Sequence, residues 1–223
     1  MDRDGLAGMT LLELMVVLAL IGALLAFAGS MVGNWSVDQR AATSARSVAD
    51  AFSLARAEAI RTGSNHIVAF NIEAGLSGIT SDVVIVNDGP PTTSNCVIEA
   101  GEIVHSVSLE QGVSFGSDPA LANGTAAPSD SGASGNQLAG SSFIDASSPA
   151  VAASWVMFTS DGLPHRFSEN ASTTPPCDDL GPIGDAGGAI YVTNGNRDYA
   201  VVLSPLGTVR LHRWQSGAGA WSQ

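Results

Sequence analysis

An uncharged apolar run from Leu14 to Val32 is the feature that most constrains this chain. The next charged residue after the run is Asp38. A helix of about 20 apolar residues can cross a bilayer, and this run reaches that length only if Leu11 or Leu12 joins it. As a core helix it would need protein on every side, which the remaining sequence hardly provides. The run is therefore expected to be a membrane segment or a secretory signal.

Glu13 argues against a secretory signal. Ala26-Phe27-Ala28 offers the small-x-small cleavage site of such a signal. Glu13, however, places a carboxylate where a signal is purely apolar, and a charge in such a segment costs about 3 kcal/mol and usually marks function or pairing. The leading flank is also weak, because Asp2 and Asp4 offset Arg3. A β-domain released after Ala28 stays as the disfavoured alternative.

The remaining composition limits the partners and the fold. Charged residues make up 13% of the chain, all nine basic residues are Arg, and the formal net charge is −12. This balance repels polyanions, so binding of nucleic acid or anionic lipid through net charge is disfavoured. The 25 Gly and 10 Pro residues indicate turn-rich β structure.

The order of residues around Glu13 is specific. The stretch from Gly8 to Val17 reads GMTLLELMVV, and it resembles the class III signal of type IV pilins and type II secretion pseudopilins. In that family a short leader ends in Gly, Phe or Met follows, and Glu is the fifth mature residue. The resemblance implies that prepilin peptidase cuts between Gly8 and Met9 and that the new Met9 amine is N-methylated. It also implies that Glu13 pairs during assembly with the terminal amine of a neighbouring subunit.

A helical pattern continues beyond the apolar run. Arg46 with Asp50, and Glu58 with Arg61, are spaced for surface ion pairs, and Gly63 is a natural helix end. A narrow apolar stripe steps by three and four residues through Ala45, Val48, Phe52, Ala55 and Ala59. The pattern predicts an amphipathic helix packed on a sheet.

After Gly63 the apolar runs become short and strand-like. Asn194-Gly195-Asn196 is a strong hairpin signal, and residues 117–153 are expected to form a long flexible loop, because few of them are large and apolar. The predicted strands are His66–Phe70, Val83–Val86, Ile103–Val107, Val113–Phe115, Trp155–Phe158, Ala189–Thr193, Tyr199–Leu203 and Thr208–Trp214.

The predicted fold class is therefore α+β. A long N-terminal helix, first transmembrane and then amphipathic, packs on an antiparallel β-sheet domain in a pilin-like arrangement. The expected domains are a leader peptide (1–8), a transmembrane and assembly helix (9–32), its amphipathic continuation (33–63), and a periplasmic β-rich domain (64–223).

Both ends of this domain add to the resemblance. The helix end at 51–61, the strand at 155–158 and the stretch 200–210 are similar to the GspH/FimT group of minor pseudopilins. The resemblance implies a structural subunit of a type II secretion pseudopilus or a type IV pilus. Its expected partners are other pseudopilins or pilins, prepilin peptidase and the inner-membrane assembly platform. The expected location is the cell inner membrane, with a single pass and a periplasmic C-terminal domain.

The second hypothesis is a FimT-like minor pilin that binds DNA during uptake. Arg210 and Arg213, with His212 between them, would form a local phosphate-contacting patch on an acidic protein. Such binding would weaken steeply with salt.

Cys96 and Cys177 are the only cysteines. Both fall in turn-rich stretches of the part expected outside the cytoplasm, so we predict a disulfide between them, with two free thiols as the alternative. No CxxC or His-Cys cluster predicts a metal site.

No catalytic motif and no cofactor-binding motif is recognised, and the four histidines, His66, His105, His165 and His212, are scattered. Three aspartates, Asp178, Asp179 and Asp185, offer carboxylates for calcium, but without EF-hand spacing they are better interpreted as solvated loop charge.

Overall fold

The computed structural model describes residues 10–72, 78–118, 128, 140–146, 152–168, 177, 180–183 and 187–223, with only the backbone described for residues 27–35. The chain divides into two compact units, Met1–Val37 and Asp38–Gln223. The leader peptide, with Gly8 and Met9, lies outside the described residues.

A single long helix, α1, runs over Leu11–Thr62. Its first turn is preceded by Thr10, a residue type favoured at the N-cap. Its end coincides with the predicted stop, because Gly63 adopts a left-handed φ of 66°. The Gly63 amide also donates to the Ala59 carbonyl at 3.0 Å. This is the glycine termination expected of an αL C-cap.

The described part of the second unit contains two antiparallel sheets with eleven strands in all. Sheet 1 has the order β3-β2-β1-β5-β6-β7, and sheet 2 has the order β11-β10-β9-β8-β4. A short 3-10 helix, Ala100–Glu102, precedes β3. The strands are β1 (Asn65–Phe70), β2 (Val83–Gly89), β3 (Ile103–Val107), β4 (Ser114–Phe115), β5 (Trp155–Phe158), β6 (Pro164–Arg166), β7 (Gly181–Pro182), β8 (Gly188–Thr193), β9 (Asp198–Leu203), β10 (Val209–Gln215) and β11 (Ala220–Ser222).

The main core forms where α1 packs on both sheets. All five residues of the predicted helix stripe, Ala45, Val48, Phe52, Ala55 and Ala59, are fully buried. They share one cluster with alternate residues of sheet 1, such as Val68 and Ile85, and of sheet 2, such as Ile190 and Val201. The amphipathic stripe was thus predicted correctly, and its partner is a pair of sheets.

Side chains on the outer face of sheet 1 form a second apolar cluster. Ile67, Val84 and Met157 pack there against Ile98 and Phe167. Strands β1 and β2 are therefore buried on both faces, which explains why they read as continuous apolar runs rather than as alternating ones.

The predicted ion pairs and the predicted loop 117–153 are only partly found in this unit. Among the described residues, Glu58 and Arg61 form the predicted ion pair, whereas Arg46 and Asp50 do not. Most of the predicted loop 117–153 lies outside the described residues, but 140–146 is ordered against sheet 2, where Ser141 bridges Ile190. Phe143 in this segment is buried in the main core, so this part of the loop prediction was wrong.

The predicted fold class requires a correction. The β structure of the described chain forms two antiparallel sheets with eleven strands, where a helix packed on one sheet domain was expected. Among the described side chains, helix α1 contributes to the core from Ala41 onward, and its part up to Val37 belongs to a separate unit. The predicted arrangement, in which one helix is first transmembrane and then packs as an amphipathic helix on a single sheet domain, was therefore wrong.

The predicted location is corrected by the same helix. Among the residues whose side chains are described, no helix is long and apolar enough to cross a membrane. This finding contradicts the transmembrane segment 9–32 and the single-pass location in the inner membrane.

Candidate functional site

The start of α1 is fixed by a hydrogen-bonded cap. The Glu13 amide donates to Thr10 Oγ1 at 3.2 Å, and the Leu14 amide donates to the Thr10 carbonyl at 3.1 Å. Thr10 and Glu13 have the T-x-x-E spacing of a capping box, a role that the sequence analysis missed. A carboxylate in the first turn also interacts favourably with the helix dipole. Thr10 and Glu13 thus define where the helix begins.

The helix that follows this cap is apolar and exposed. Every described side chain from Thr10 to Ala26 is exposed. Leu11 is 77% exposed and Leu24 is 69% exposed. Soluble monomers rarely show an apolar surface that extends all round a helix, and such surfaces mark interaction sites. This segment, called the exposed helix below, is the first candidate site.

Glu13 is the only acidic residue on the exposed helix. Its carboxylate makes no hydrogen bond or ion pair with any other residue that the structure describes. The predicted cleavage site between Gly8 and Met9 lies outside the described residues.

Cys96 and Cys177 form the predicted disulfide, with Cα atoms 5.5 Å apart and a sequence separation of 81. Cys96 has a left-handed φ of 59°, which is uncommon for a residue with a side chain. The Cys177 amide donates to the Ser94 carbonyl at 2.8 Å. The pair therefore closes a hydrogen-bonded loop over the outer face of sheet 1.

A buried carboxylate holds the Cys96 side of that loop. Asp88 is only 4% exposed, and it accepts hydrogen bonds from Ser94 Oγ at 2.5 Å, from the Asn95 amide at 3.0 Å and from the Cys96 amide at 3.1 Å. Three donors compensate the charge for its removal from water. The role of Asp88 is therefore to shape the loop. Asp178, Asp179 and Asp185, the calcium candidates, lie outside the described residues.

The two C-terminal arginines lie on β10, which is Val209–Gln215. Successive side chains of a strand point to opposite faces, so residues three apart do not share a face. Arg210 shares one face of β10 with His212 and Trp214, which are both buried. Arg213 shares the opposite face with Val209 and Leu211, which pack towards the main core. The structure thus separates Arg210 from Arg213, although the sequence placed them in one patch.

Arg213 instead lines a cleft between α1 and the end of sheet 2. The cleft has a volume of about 350 Å³. Its walls are Gln39, Ala42 and Arg46 from the helix and Tyr199, Leu211, Arg213, Gln215, Ser222 and Gln223 from the sheet. We call it the arginine cleft.

A second cleft lies at the C-terminal end of α1. It brings together two histidines that are far apart in sequence. It has a volume of about 380 Å³, and His66 and His105 contribute to its wall. His66 is 1% exposed, and its Nδ1 donates to the Ser64 carbonyl at 3.1 Å. This bond fixes the orientation of the ring, because a carbonyl oxygen only accepts.

The charges in this second cleft neutralise one another. Arg61 Nη2 lies 2.5 Å from Glu58 Oε2. The hydrogen bond from Arg61 lowers the pKa of the Glu58 carboxyl below its usual value, so the carboxylate stays ionised and paired. The cleft offers imidazole nitrogens but little net charge to a ligand.

Comparison with protein-family models, with curated proteins and with solved structures found no match.

Proposed function

We propose that this chain is a fibre-forming subunit of the type IV pilin-like class, a minor pseudopilin of a type II secretion pseudopilus or a type IV pilus. The observation that carries the proposal is the exposed helix, which presents apolar side chains to solvent on all sides from Leu11 to Ala26. Burial of such a surface between like helices is strongly favourable, at about 25 cal/mol per Å² of apolar surface.

Glu13 supports the proposal because packing of this helix among the helices of other subunits would remove its carboxylate from water. A carboxylate buried without a partner is costly, and the cost is offset only when an opposite charge is buried with it. Cleavage between Gly8 and Met9 creates a new terminal amine. On a neighbouring subunit this amine is a cation that can pair with the Glu13 carboxylate. The pairing would set the register between subunits, with prepilin peptidase, the assembly platform and other pilins as partners.

N-terminal sequencing and mass analysis of the mature protein, co-produced with a prepilin peptidase, test the processing step. We expect a start at Met9 with one added methyl group. A start at Gly29 would show instead that the apolar run is a secretory signal, and it would defeat the proposal.

Glu13→Gln tests the assembly step. This substitution removes the charge and keeps the helix cap, because the cap is formed by the backbone amide of residue 13, which donates to Thr10 Oγ1. We expect fibre incorporation to fall at least about tenfold, since an unpaired amine would be buried, at a cost of more than about 1.4 kcal/mol. The matched control is Asp50→Asn, which removes an exposed carboxylate from the same helix. Equal incorporation of both variants, measured in pelleted fibres, would argue against a role for Glu13.

A further inference from the structure

The arginine cleft presents hydrogen-bond donors and positive charge. Arg46 comes from α1 and Arg213 from β10, and both side chains line the same cavity of about 350 Å³. The amides of Gln39 and Gln215 and the hydroxyl group of Tyr199 add further donors, whereas the Ser222 hydroxyl donates to the Arg213 carbonyl at 3.3 Å.

No acidic side chain lines this cavity. That is unusual in this chain, which holds 21 acidic residues and nine arginines. Among the described residues, the Arg46 and Arg213 guanidinium groups make no ion pair and donate no hydrogen bond. Gln223 also lines the cleft, but its terminal carboxylate forms no ion pair with either guanidinium group. Two like charges that share a cleft repel each other, and an anion bound between them relieves that repulsion.

The geometry points to a carboxylate-binding site, and we propose that the arginine cleft holds a carboxylate group between Arg46 and Arg213. A guanidinium group presents a planar fork of donors that matches a carboxylate with two parallel hydrogen bonds. The apolar part of the wall, from Ala42, Leu211 and the ring of Tyr199, suits the short carbon chain that carries such a group.

The net charge of the protein favours a small acid over a polyanion. The chain has a formal net charge of −12, and its repulsion of an anionic ligand grows with the charge of that ligand. A nucleic acid is therefore repelled strongly, and a ligand with one or two carboxylates only weakly. The separation of Arg210 from Arg213 on opposite faces of β10 also leaves no continuous basic track along the strand. The carboxylate has two possible sources, a free small acid or an acidic side chain of a second copy of this chain.

Glutarate is a suitable probe, added to the full-length protein in a non-ionic detergent that covers the exposed helix. We expect glutarate to raise Tm and to bind saturably, while chloride at equal ionic strength does neither. Arg46→Gln and Arg213→Gln should each weaken glutarate binding at least about tenfold. The matched control is Arg210→Gln, which removes the same charge from the other face of the same strand. Equal weakening in all three variants, or no saturable binding together with no association, would overturn the proposal.

Sedimentation separates the two sources. If the carboxylate comes from a second copy, the wild-type protein associates, and either glutarate or Arg213→Gln dissociates it. If the ligand is a free acid, the protein stays monomeric and binds glutarate. Association through the exposed helix would respond to neither treatment, so failure of this proposal and failure of the fibre proposal give different results.

Discussion

The Phe52 side chain connects α1 to sheet 1 and to the segment 140–146. It is fully buried, and its ring centroid lies 5.4 Å from that of Phe70, 6.1 Å from Phe143 and 6.4 Å from Phe158, all in edge-to-face geometry. Such aromatic pairs stabilise beyond their buried area. The helix, sheet 1 and the segment 140–146 therefore meet at this ring.

Phe52→Ala should lower the free energy of unfolding by about 3–5 kcal/mol, because the cavity removes contacts with several elements at once. The control is Leu54→Ala, two positions along the same helix, where the side chain is 37% exposed. Urea denaturation of both variants measures the difference. If Leu54→Ala cost as much as Phe52→Ala, the packing of this helix face would be incorrect.

Asp161 gives a pH dependence whose sign can be worked out. Thr159 Oγ1 donates to Asp161 Oδ1 at 2.6 Å, and the Leu163 amide donates to the same oxygen at 3.0 Å. These hydrogen bonds, that of Thr159 first, lower the pKa of the Asp161 carboxyl. The ionised carboxylate therefore stabilises the turn between β5 and β6. This contribution is present above the unfolded pKa of about 3.9 and is lost as the pH falls through the lowered folded value.

Asp161→Asn should therefore lower Tm near neutral pH and should matter less in acid. Thermal unfolding between about pH 2 and pH 7 measures the Tm difference between wild type and variant, which is expected to shrink below about pH 4. Asp50→Asn serves as the control, since Asp50 makes no hydrogen bond or ion pair among the described residues. A difference for Asp161→Asn that stays constant with pH would contradict the role of the ionised carboxylate.

At the scale of elements, the sequence predicted what depends on local pattern. The helix stripe and strands such as β3 and β5 follow from periodicity and from β-branched or aromatic residues, and the structure confirms them. Strands β6, β7 and β11 were missed because each has only two or three residues, too few to establish a period.

The missed features share a physical cause, which is contact between distant parts of the chain. Phe143 stands in a polar, Gly-rich stretch, and it becomes a core residue only through tertiary packing, on Phe52 and against Gly188. Arg46 and Arg213 come together only after β10 packs beside α1. Sequence spacing also grouped Arg210 with Arg213, but the period of two in a strand separates them. Candidate sites that span elements thus needed the structure, whereas Thr10 and Glu13 are a local pattern that the sequence already contained.

At the scale of the whole molecule, two units with different solvent requirements share one chain. The described side chains of the first unit are exposed and apolar as far as Ala26. The second unit, Asp38–Gln223, contains every residue of the main core, the disulfide and both clefts. Within it, Arg197 Nε lies 2.5 Å from Asp38 Oδ2, and the Glu110 amide donates to Ser44 Oγ at 2.9 Å, so the helix is anchored close to its first residue in that unit.

A fragment that begins at Asp38 should therefore fold alone, because it keeps all residues of the core and the anchoring contacts of the helix. We expect it to stay in solution without detergent, to keep the Cys96–Cys177 disulfide and to unfold in one cooperative transition. Its midpoint should lie within a few degrees of the full chain in detergent, as expected when no core contact is lost. Arg197→Gln in the fragment should lower that midpoint more than Arg210→Gln does, since Arg197 forms the ion pair with Asp38. A fragment that aggregates or unfolds without cooperativity would show that residues before Asp38 belong to the folding unit.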